Sequence, residues 1–482
     1  MSEENKVLTR EEWINKIRSE GKAETIRSEM IRLGFWEAPN LSEEEREQQA
    51  KEDEEYKEVR KELQELQKKS KQLKDIDFLL KEARKRRMEE SKKRRAERKA
   101  VRKKAQAEAK EKWRKYRQNH VIHVGDGVSA GLASTETNEQ KLMQHQLPLI
   151  RSALQLAHDM NITLSELKWL TYHRNTATIN HYQHFTIPKK SGGKREISAP
   201  KSKLRSAQSW IKANILDKLA VHDAAYGFVT GKSTVDNAKH HIGKDAVVKF
   251  DLKDFFPSIS FVRVRGLFES LGYSRAISTL FALICTEPPR QEVEFNGKMY
   301  YVAINERQLP QGACTSPTLT NLLCRRLDEK LTHLAKEKGF TYTRYADDLT
   351  FSGNEEALKQ IGSLMGSVRS VVDFEGFIIN EAKTRVLRNG RRQRVTGIVV
   401  NEKPNLTRKD IRSFRALLHN VEHHGLEQEN HRNHPHFWEY INGYVSYVQM
   451  VRPDIGKKFA IQVQRIADKY GLPIRVYIEK LG

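Results

Sequence analysis

The run TYTRYADDLTFS, at 341–352, sets two adjacent aspartates, Asp347 and Asp348, inside a stretch otherwise rich in β-branched and aromatic residues. Successive side chains of a strand project to opposite faces, so neighbouring carboxylates can serve one site only where the chain turns. The segment is therefore expected to be a hairpin with Ala346, Asp347 and Asp348 at its tip. Two solvated turn aspartates would read the same way in isolation, so the case for a site needs a further acid.

KFDLKDFFPSI, at 249–259, provides one. Asp251 ends the apolar strand pattern AVVKFDL, and a carboxylate there is costly to bury without a cation or other partner. A strand-end acid beside a turn acid is what a pair of divalent cations needs. Two Mg²⁺ ions about 3.5–4 Å apart can activate an attacking hydroxyl and stabilise the leaving group of an in-line phosphoryl displacement.

Charge points to the substrate class. The 482-residue chain carries a formal net charge of +23, and a polyanion is the partner that neutralises such a surplus. The surplus is uneven. Residues 43–117 contain no Gly or Pro and consist almost wholly of helix formers, so they are expected to form one long helix or a broken pair. Val59, Leu63, Leu66, Leu73 and Leu80 mark a weak coiled-coil seam within it. Between Lys81 and Arg117 lie 19 lysines and arginines against 6 acids, the composition of an arm for RNA or DNA; a solvated helical spacer is the alternative. Cys285, Cys314 and Cys324 have no metal-ligand spacing and suit a reducing cytoplasm. No apolar run approaches the roughly 18 residues of a membrane span, so a cytoplasmic protein without membrane partners is expected.

The composition divides the chain into a helical basic N-terminal extension at 1–120, a Gly-rich linker or clasp before the main domain at 121–143, and mixed α and β elements from 144. In the last of these, HYQHFTIPKKSGGKREISAP alternates like a hairpin around Gly192 and Gly193. The final part, 401–482, reads as helices bearing Arg408, Lys409, Arg412 and Arg415, with Arg412 and Arg415 sharing a face, as do Tyr444 and Tyr447. His419, His423, His424, His431, His434 and His436 are dense enough to raise a zinc site, but no cysteine or carboxylate completes a convincing set; packing or RNA phosphate contact is the better reading.

These motifs together resemble a known family. FDLKDFFPSI is similar to the A motif, LPQGACTSPTLTN to the B motif and YADD to the C motif of reverse transcriptases, in that order. STVDNAKHH, with Asn237, Ala238 and His241, resembles the Asn-Ala-x-x-His element of retron reverse transcriptases, and RVTGIVVN, with Val395, Thr396 and Gly397, resembles their Val-Thr-Gly element. The resemblance implies an α+β right-hand polymerase, with fingers and palm over 144–400 and a helical thumb over 401–482. The N-terminal extension is where it says least. Rival bacterial reverse transcriptases, from group II introns or diversity-generating elements, carry other marker motifs or tails. A viral-type RNA polymerase would more often have Gly-Asp-Asp at the C motif, and a catalytically silent RNA-binding scaffold would not need the intact acids.

Carried over residue by residue, Asp251 and Asp347 resemble the ligands of two Mg²⁺ ions, with Asp348 completing the cluster. Phe256 matches the bulky position that excludes ribonucleotides, with Phe255 a core residue facing the other way along a strand. Gln311 and Gly312 resemble the turn beside the incoming nucleotide and template base. Arg195 resembles the triphosphate clamp of the fingers hairpin, with Lys190 and Lys194 as weaker candidates, and Lys383 resembles a proton donor to the leaving pyrophosphate. Asn237, His241, Val395, Thr396, Gly397, Arg412 and Arg415 are the expected RNA contacts, although His241 could instead orient a helix. The resemblance further implies a cognate structured non-coding RNA as template and primer, priming from a guanosine 2′ hydroxyl, and deoxynucleoside triphosphates as substrates. The implied product is branched RNA–DNA, multicopy single-stranded DNA, formed through an RNA–DNA hybrid and used with an effector protein in anti-phage defence.

Overall fold

A computed structural model describes residues 9–20, 22–36, scattered positions between 55 and 69, 76–189, 192–431 and 433–474. It contains two compact units, Met1–His120 and Val121–Gly482. In the first, helices Arg10–Glu20 and Lys22–Arg32 are tied together by Lys16 Nζ on Glu29 Oε1 at 3.1 Å. A third helix, Ile76–Asn119, runs for 44 residues. Most of its charged side chains are exposed, and Arg114 pairs with Glu111 at 2.8 Å. Of the expected seam, Val59 and Leu66 are exposed and Leu73 lies outside the described residues.

The second unit begins with the segment expected to be a linker or clasp, and it is packed into the unit rather than spanning to it as a free linker. Val121, Val124, Val128 and Leu142 are buried in the main core. Backbone hydrogen bonds stitch the segment down, from His173 N to Val124 O at 2.7 Å and from Ala276 N to Ser134 O at 3.1 Å. The glycines that suggested flexibility permit close approach. A Cβ on Gly125 would stand 2.1 Å from the His173 carbonyl oxygen, and one on Gly131 would collide with Arg275.

Among the described residues, eight strands of four residues or more organise this unit: β1 Tyr182–Pro188, β2 Lys194–Pro200, β3 Ala246–Asp251, β4 Arg290–Phe295, β5 Lys298–Ala303, β6 Phe340–Tyr345, β7 Asp348–Gly353 and β8 Arg385–Arg388. β1 and β2 form the expected hairpin, and β4 and β5 form another. The central antiparallel sheet has the order β6-β7-β3-β8, with β3 inside it. One face of β3 carries Ala246, Val248 and Phe250, and the other carries Val247, Lys249 and Asp251. Val248 and Phe250 belong to the main core, packed with helices such as Phe261–Leu271, Arg275–Cys285 and Ile361–Phe374. Val247 belongs to a second core.

That second core is built by helices Arg408–His424, Phe437–Val451 and Pro453–Tyr470, whose apolar stripes meet through Phe414, Leu418, Ile441, Val445, Phe459 and Val463. Val235, Ala238, Val395 and Ile398 join it. The C-terminal helices are thus tied by packing to the sheet that carries Asp251. No described helix is long and apolar enough to cross a membrane.

Candidate active site

The sheet brings the two acidic motifs together. Asp251, the last residue of β3, is the direct cross-strand partner of Asp348, the first residue of β7, and Asp348 in turn pairs with Tyr345 of β6. Ala346 and Asp347 form the two-residue turn, with Ala346 at φ 55°, in the left-handed region that tight hairpins require. A further backbone bond, Leu252 N to Asp347 O at 2.9 Å, locks the turn to the end of β3. The three carboxylates line one cleft of ≈ 500 Å³ with Lys249, Tyr345, Lys383, Arg385, Thr234 and Thr396.

Burial, then the Asp251 carboxylate, pushes the Asp347 carboxyl above the ordinary aspartate range. Burial raises Asp348 as well, although Lys249 works against the shift from a 2.7 Å contact. Lys383 Nζ holds both oxygens of Asp251, at 2.9 and 3.0 Å, and Asn380 Nδ2 donates to Oδ1 at 3.2 Å. Among the described residues no three acidic, imidazole or thiol groups stand together as a finished ligand cage. With the two lysines drawing Asp251 and Asp348 aside, what remains is a set of hard oxygen donors in a partly desolvated cleft, the chemistry that suits a hard divalent cation.

A buried network positions the turn from behind. Arg344, fully buried on β6, grips Asp328 through two charge-assisted bonds, Nε to Oδ1 at 2.8 Å and Nη2 to Oδ2 at 2.6 Å. Its other terminal nitrogen donates to Asn321 Oδ1 at 2.9 Å and to the Ala346 carbonyl at 3.3 Å. Tyr342 adds a bond to Asp328 Oδ1 at 2.9 Å. Asn321 closes the LPQGACTSPTLTN segment, so B-motif and C-motif residues meet through a guanidinium that the sequence reading passed over. Alternation along β6, which turns Tyr342 and Arg344 to the same face, was the only signal for it.

Comparison with known proteins accords with this geometry. The reverse transcriptase (RNA-dependent DNA polymerase) family model matches residues 187–416. The retron Mx162 reverse transcriptase of Myxococcus xanthus is 41% identical over 397 residues, covering 76% of this chain and 80% of that one. The chain belongs to the retron reverse transcriptases. The retron Mx65 enzyme of the same organism is 40% identical over 67% of this chain and 74% of its own length, and the Escherichia coli retron Ec86 enzyme 32% identical over 69% and 95%. The right-hand polymerase fold and mixed α and β content follow from membership.

The remaining expected site residues of this retron enzyme fall into three groups. In the first are those at the cleft or on the hairpin. Phe256 is half-buried and Phe255 buried, but both lie in a turn after β3 rather than on a strand, and Asp254, at φ 46°, makes that turn possible. Gln311 O accepts from Ser198 N at 2.7 Å, docking the B-motif turn on β2. A Cβ on Gly312 would stand 2.9 Å from Ser198 O, which is why glycine is needed there. Lys194 and Arg195 are exposed on β2, and Lys190 lies outside the described residues. Lys383 sits on Asp251 rather than free in the cleft.

In the second group are the marker motifs, which the fold joins. Thr396 Oγ1 donates to Thr234 O at 3.2 Å, at the start of the helix Thr234–Lys239, and both residues line the cleft. Gly397, at φ 88°, has its Cα side 3.8 Å from the Tyr447 hydroxyl, measured to where a Cβ would stand. Asn237, His241 and Val395, however, have no exposed surface, which corrects their assignment as direct RNA contacts. His241 bridges Ser352 Oγ and Thr343 Oγ1 at 2.7 Å each, and burial lowers its pKa to about 3, so the ring is neutral. Asn237 is packed beneath the cleft with both amide atoms lacking a hydrogen-bond partner.

The third group is on the C-terminal helices, where Arg412 and Arg415 are exposed and Tyr440, Tyr444 and Tyr447 follow one another at 6.2 Å between ring centroids. The rings of His419 and His423 lie 4.4 Å apart between centroids, tilted by 43°, with no metal-holding group among the described residues. Lys249 and Asn380, which touch the acids directly, were missed. Lys249 was legible, since a strand period of two places it on the face of Asp251.

Proposed function

We propose that this retron reverse transcriptase copies part of a cognate structured non-coding RNA into multicopy single-stranded DNA, starting from a guanosine 2′ hydroxyl in that RNA. The observation that carries the reading is the cross-strand pairing of Asp251 with Asp348 beside Asp347, in a cleft that adjoins both marker motifs. Asp251 and Asp347 would hold two Mg²⁺ ions, with Asp348 held in reserve by Lys249. Bound there, the ions would lower the pKa of the attacking hydroxyl and neutralise charge on the leaving pyrophosphate.

The chain's own residues do the rest. Arg195, Lys194 and Lys190 on the β1–β2 hairpin grip the triphosphate. Phe256 crowds the sugar C2′ and so favours deoxynucleotides, while the Gln311–Gly312 turn supports the nascent base pair. Lys383, once released from Asp251, is in place to protonate the pyrophosphate. Asn237, His241 and Val395 act by holding the helix and the Thr396–Gly397 turn at the cleft wall, and Arg412, Arg415 and the tyrosine row face the template–product duplex. The basic helix Ile76–Asn119 binds nucleic acid phosphates. The hybrid and single-stranded product work in the cytoplasm with an effector protein against phage.

Purified protein supplied with its RNA, deoxynucleotides and Mg²⁺ should yield labelled DNA joined to RNA through a 2′–5′ branch. Equal DNA from an Asp347→Ala, Asp348→Ala double variant would refute the catalytic assignment. Product lacking the branch would refute the priming assignment alone.

A further inference from the structure

Left-handed backbone is rare outside glycine and is a pronounced outlier for a bulky residue. Among the described non-glycine residues it occurs at Gln146, Asn161, Phe228, Asp254, Asn296, Ala346, Thr396 and Asn433. Asp254, Ala346 and Thr396 belong to the A-motif turn, the catalytic turn and the cleft wall. Phe228, at φ 61°, is the one bulky aromatic in the group. Its side chain is 52% exposed. A strained, half-exposed phenyl ring adds little to the stability of a fold, and strain of this kind persists where the surroundings enforce it and function uses it.

The surroundings do enforce it. Arg344 N donates to Ala224 O at 2.7 Å and Tyr226 N to Arg344 O at 2.8 Å, so the chain preceding Phe228 runs alongside β6 up to the catalytic turn. Gly227 then presses against that turn, since a Cβ on it would stand 2.6 Å from Ala346 N. Its carbonyl accepts from Asn321 Nδ2 at 2.8 Å. With residue 227 pinned to Ala346 and Asn321, the left-handed step at 228 carries the ring toward Phe256. The two ring centroids are 6.2 Å apart at 55°, within the range of aromatic contact.

We propose that Phe228 is a second specificity-determining residue, which with Phe256 forms an aromatic wall against the sugar of the incoming deoxynucleotide. The proposal rests on the reading of Phe256 as the residue that crowds C2′. Phe256 alone is half-buried and braced from the core side by Phe255, at 5.6 Å between centroids. Phe228 contacts it at 6.2 Å between centroids, from a backbone pinned against Ala346 through Gly227. A wall of two rings holds Phe256 against the displacement that a 2′ hydroxyl would otherwise cause.

The test measures kcat/KM for a deoxynucleotide and the matching ribonucleotide with full-length protein on a primed template, together with melting temperature. Phe228→Asn, Phe228→Tyr and Phe256→Ala are compared with the native enzyme. Phe228→Asn should lower the deoxy-to-ribo ratio roughly tenfold while melting no lower than the native protein, because asparagine tolerates the left-handed conformation. Phe228→Tyr should keep the native ratio. An unchanged ratio in Phe228→Asn alongside a collapsed ratio in Phe256→Ala overturns the proposal and leaves the Phe256 reading intact. Unchanged ratios in both overturn both. A lowered ratio that appears only with a lowered melting temperature overturns it in favour of a structural role.

Discussion

A carboxyl whose pKa is raised by folding binds its proton more tightly in the folded chain than in the unfolded one. Stability from that group therefore falls as pH rises from the ordinary aspartate range through the raised value, and at neutral pH the ionised Asp347 and Asp348 are a net cost to the metal-free fold. Asp347→Asn should consequently melt at or above the native temperature without divalent ions. It should also lose most of the Mg²⁺-dependent rise in melting temperature that the native protein shows, and lose roughly 10³-fold in polymerisation rate, since the metals contribute several kcal/mol to the transition state. Calorimetry with and without Mg²⁺, set beside the rate, checks all three. Asp251, Asp347 and Asp348 were legible in the sequence because a strand-end acid and a turn acid occur together with the ordered A, B and C motifs, although turn aspartates alone are common. Lys383 was legible as a residue of the site but not in its place, since its bond to Asp251 depends on how the turn at Glu381–Lys383 approaches the end of β3.

Elements hold these residues by two buried devices. In the first, Asp328 neutralises a guanidinium with no exposure, so Asp328→Ala would leave a buried charge unpaired. A loss of roughly 3–5 kcal/mol in unfolding free energy is expected, seen as a shifted denaturation midpoint. The second is His241. Its folded pKa of about 3, against an unfolded value near 6.5, means that its contribution is fully present above about pH 6.5 and declines below it, by roughly 1.4 kcal/mol per pH unit. His173, which burial lowers to about 4, adds a decline of the same sign. In His241→Gln the slope of stability against pH between 4 and 6 should be shallower than in the native protein, and an equal slope would contradict the neutral buried ring. The hairpin of β6 and β7, the hairpin of β1 and β2 and the helix after the B motif could all be read from local pattern. The paired use of Asn237 and Val395 could not, because burial depends on elements more than 150 residues apart in sequence meeting in one core.

At the scale of the molecule, charge and chain organisation are the questions. The helix Ile76–Asn119 exposes most of its lysines and arginines. If it binds nucleic acid, replacing Lys92, Lys93, Arg94 and Arg95 by glutamine in the full chain should lower the slope of log K against log salt. The expected drop is roughly 0.7–0.9 for each phosphate that the variant no longer neutralises. Titrations at several salt concentrations would measure it, and an unchanged slope would make the helix a spacer. The segment 121–143 shows the converse: glycines and serines that read as a linker are packed and hydrogen-bonded, since glycine signals close approach as readily as freedom.

Local chemistry in the chain determined the acidic hairpin, the strand that delivers Asp251, the basic helix Ile76–Asn119 and membership of the family. Those features depend on neighbours a few residues apart and on side-chain types that have few alternative uses. Tertiary structure alone decided that Lys249 and Lys383 would neutralise two of the acids, that Arg344 would brace the turn, and that Phe228 would be strained toward Phe256. Each of these depends on register and packing that no single segment encodes, as in the hold of Asp328 and Asn321 on Arg344.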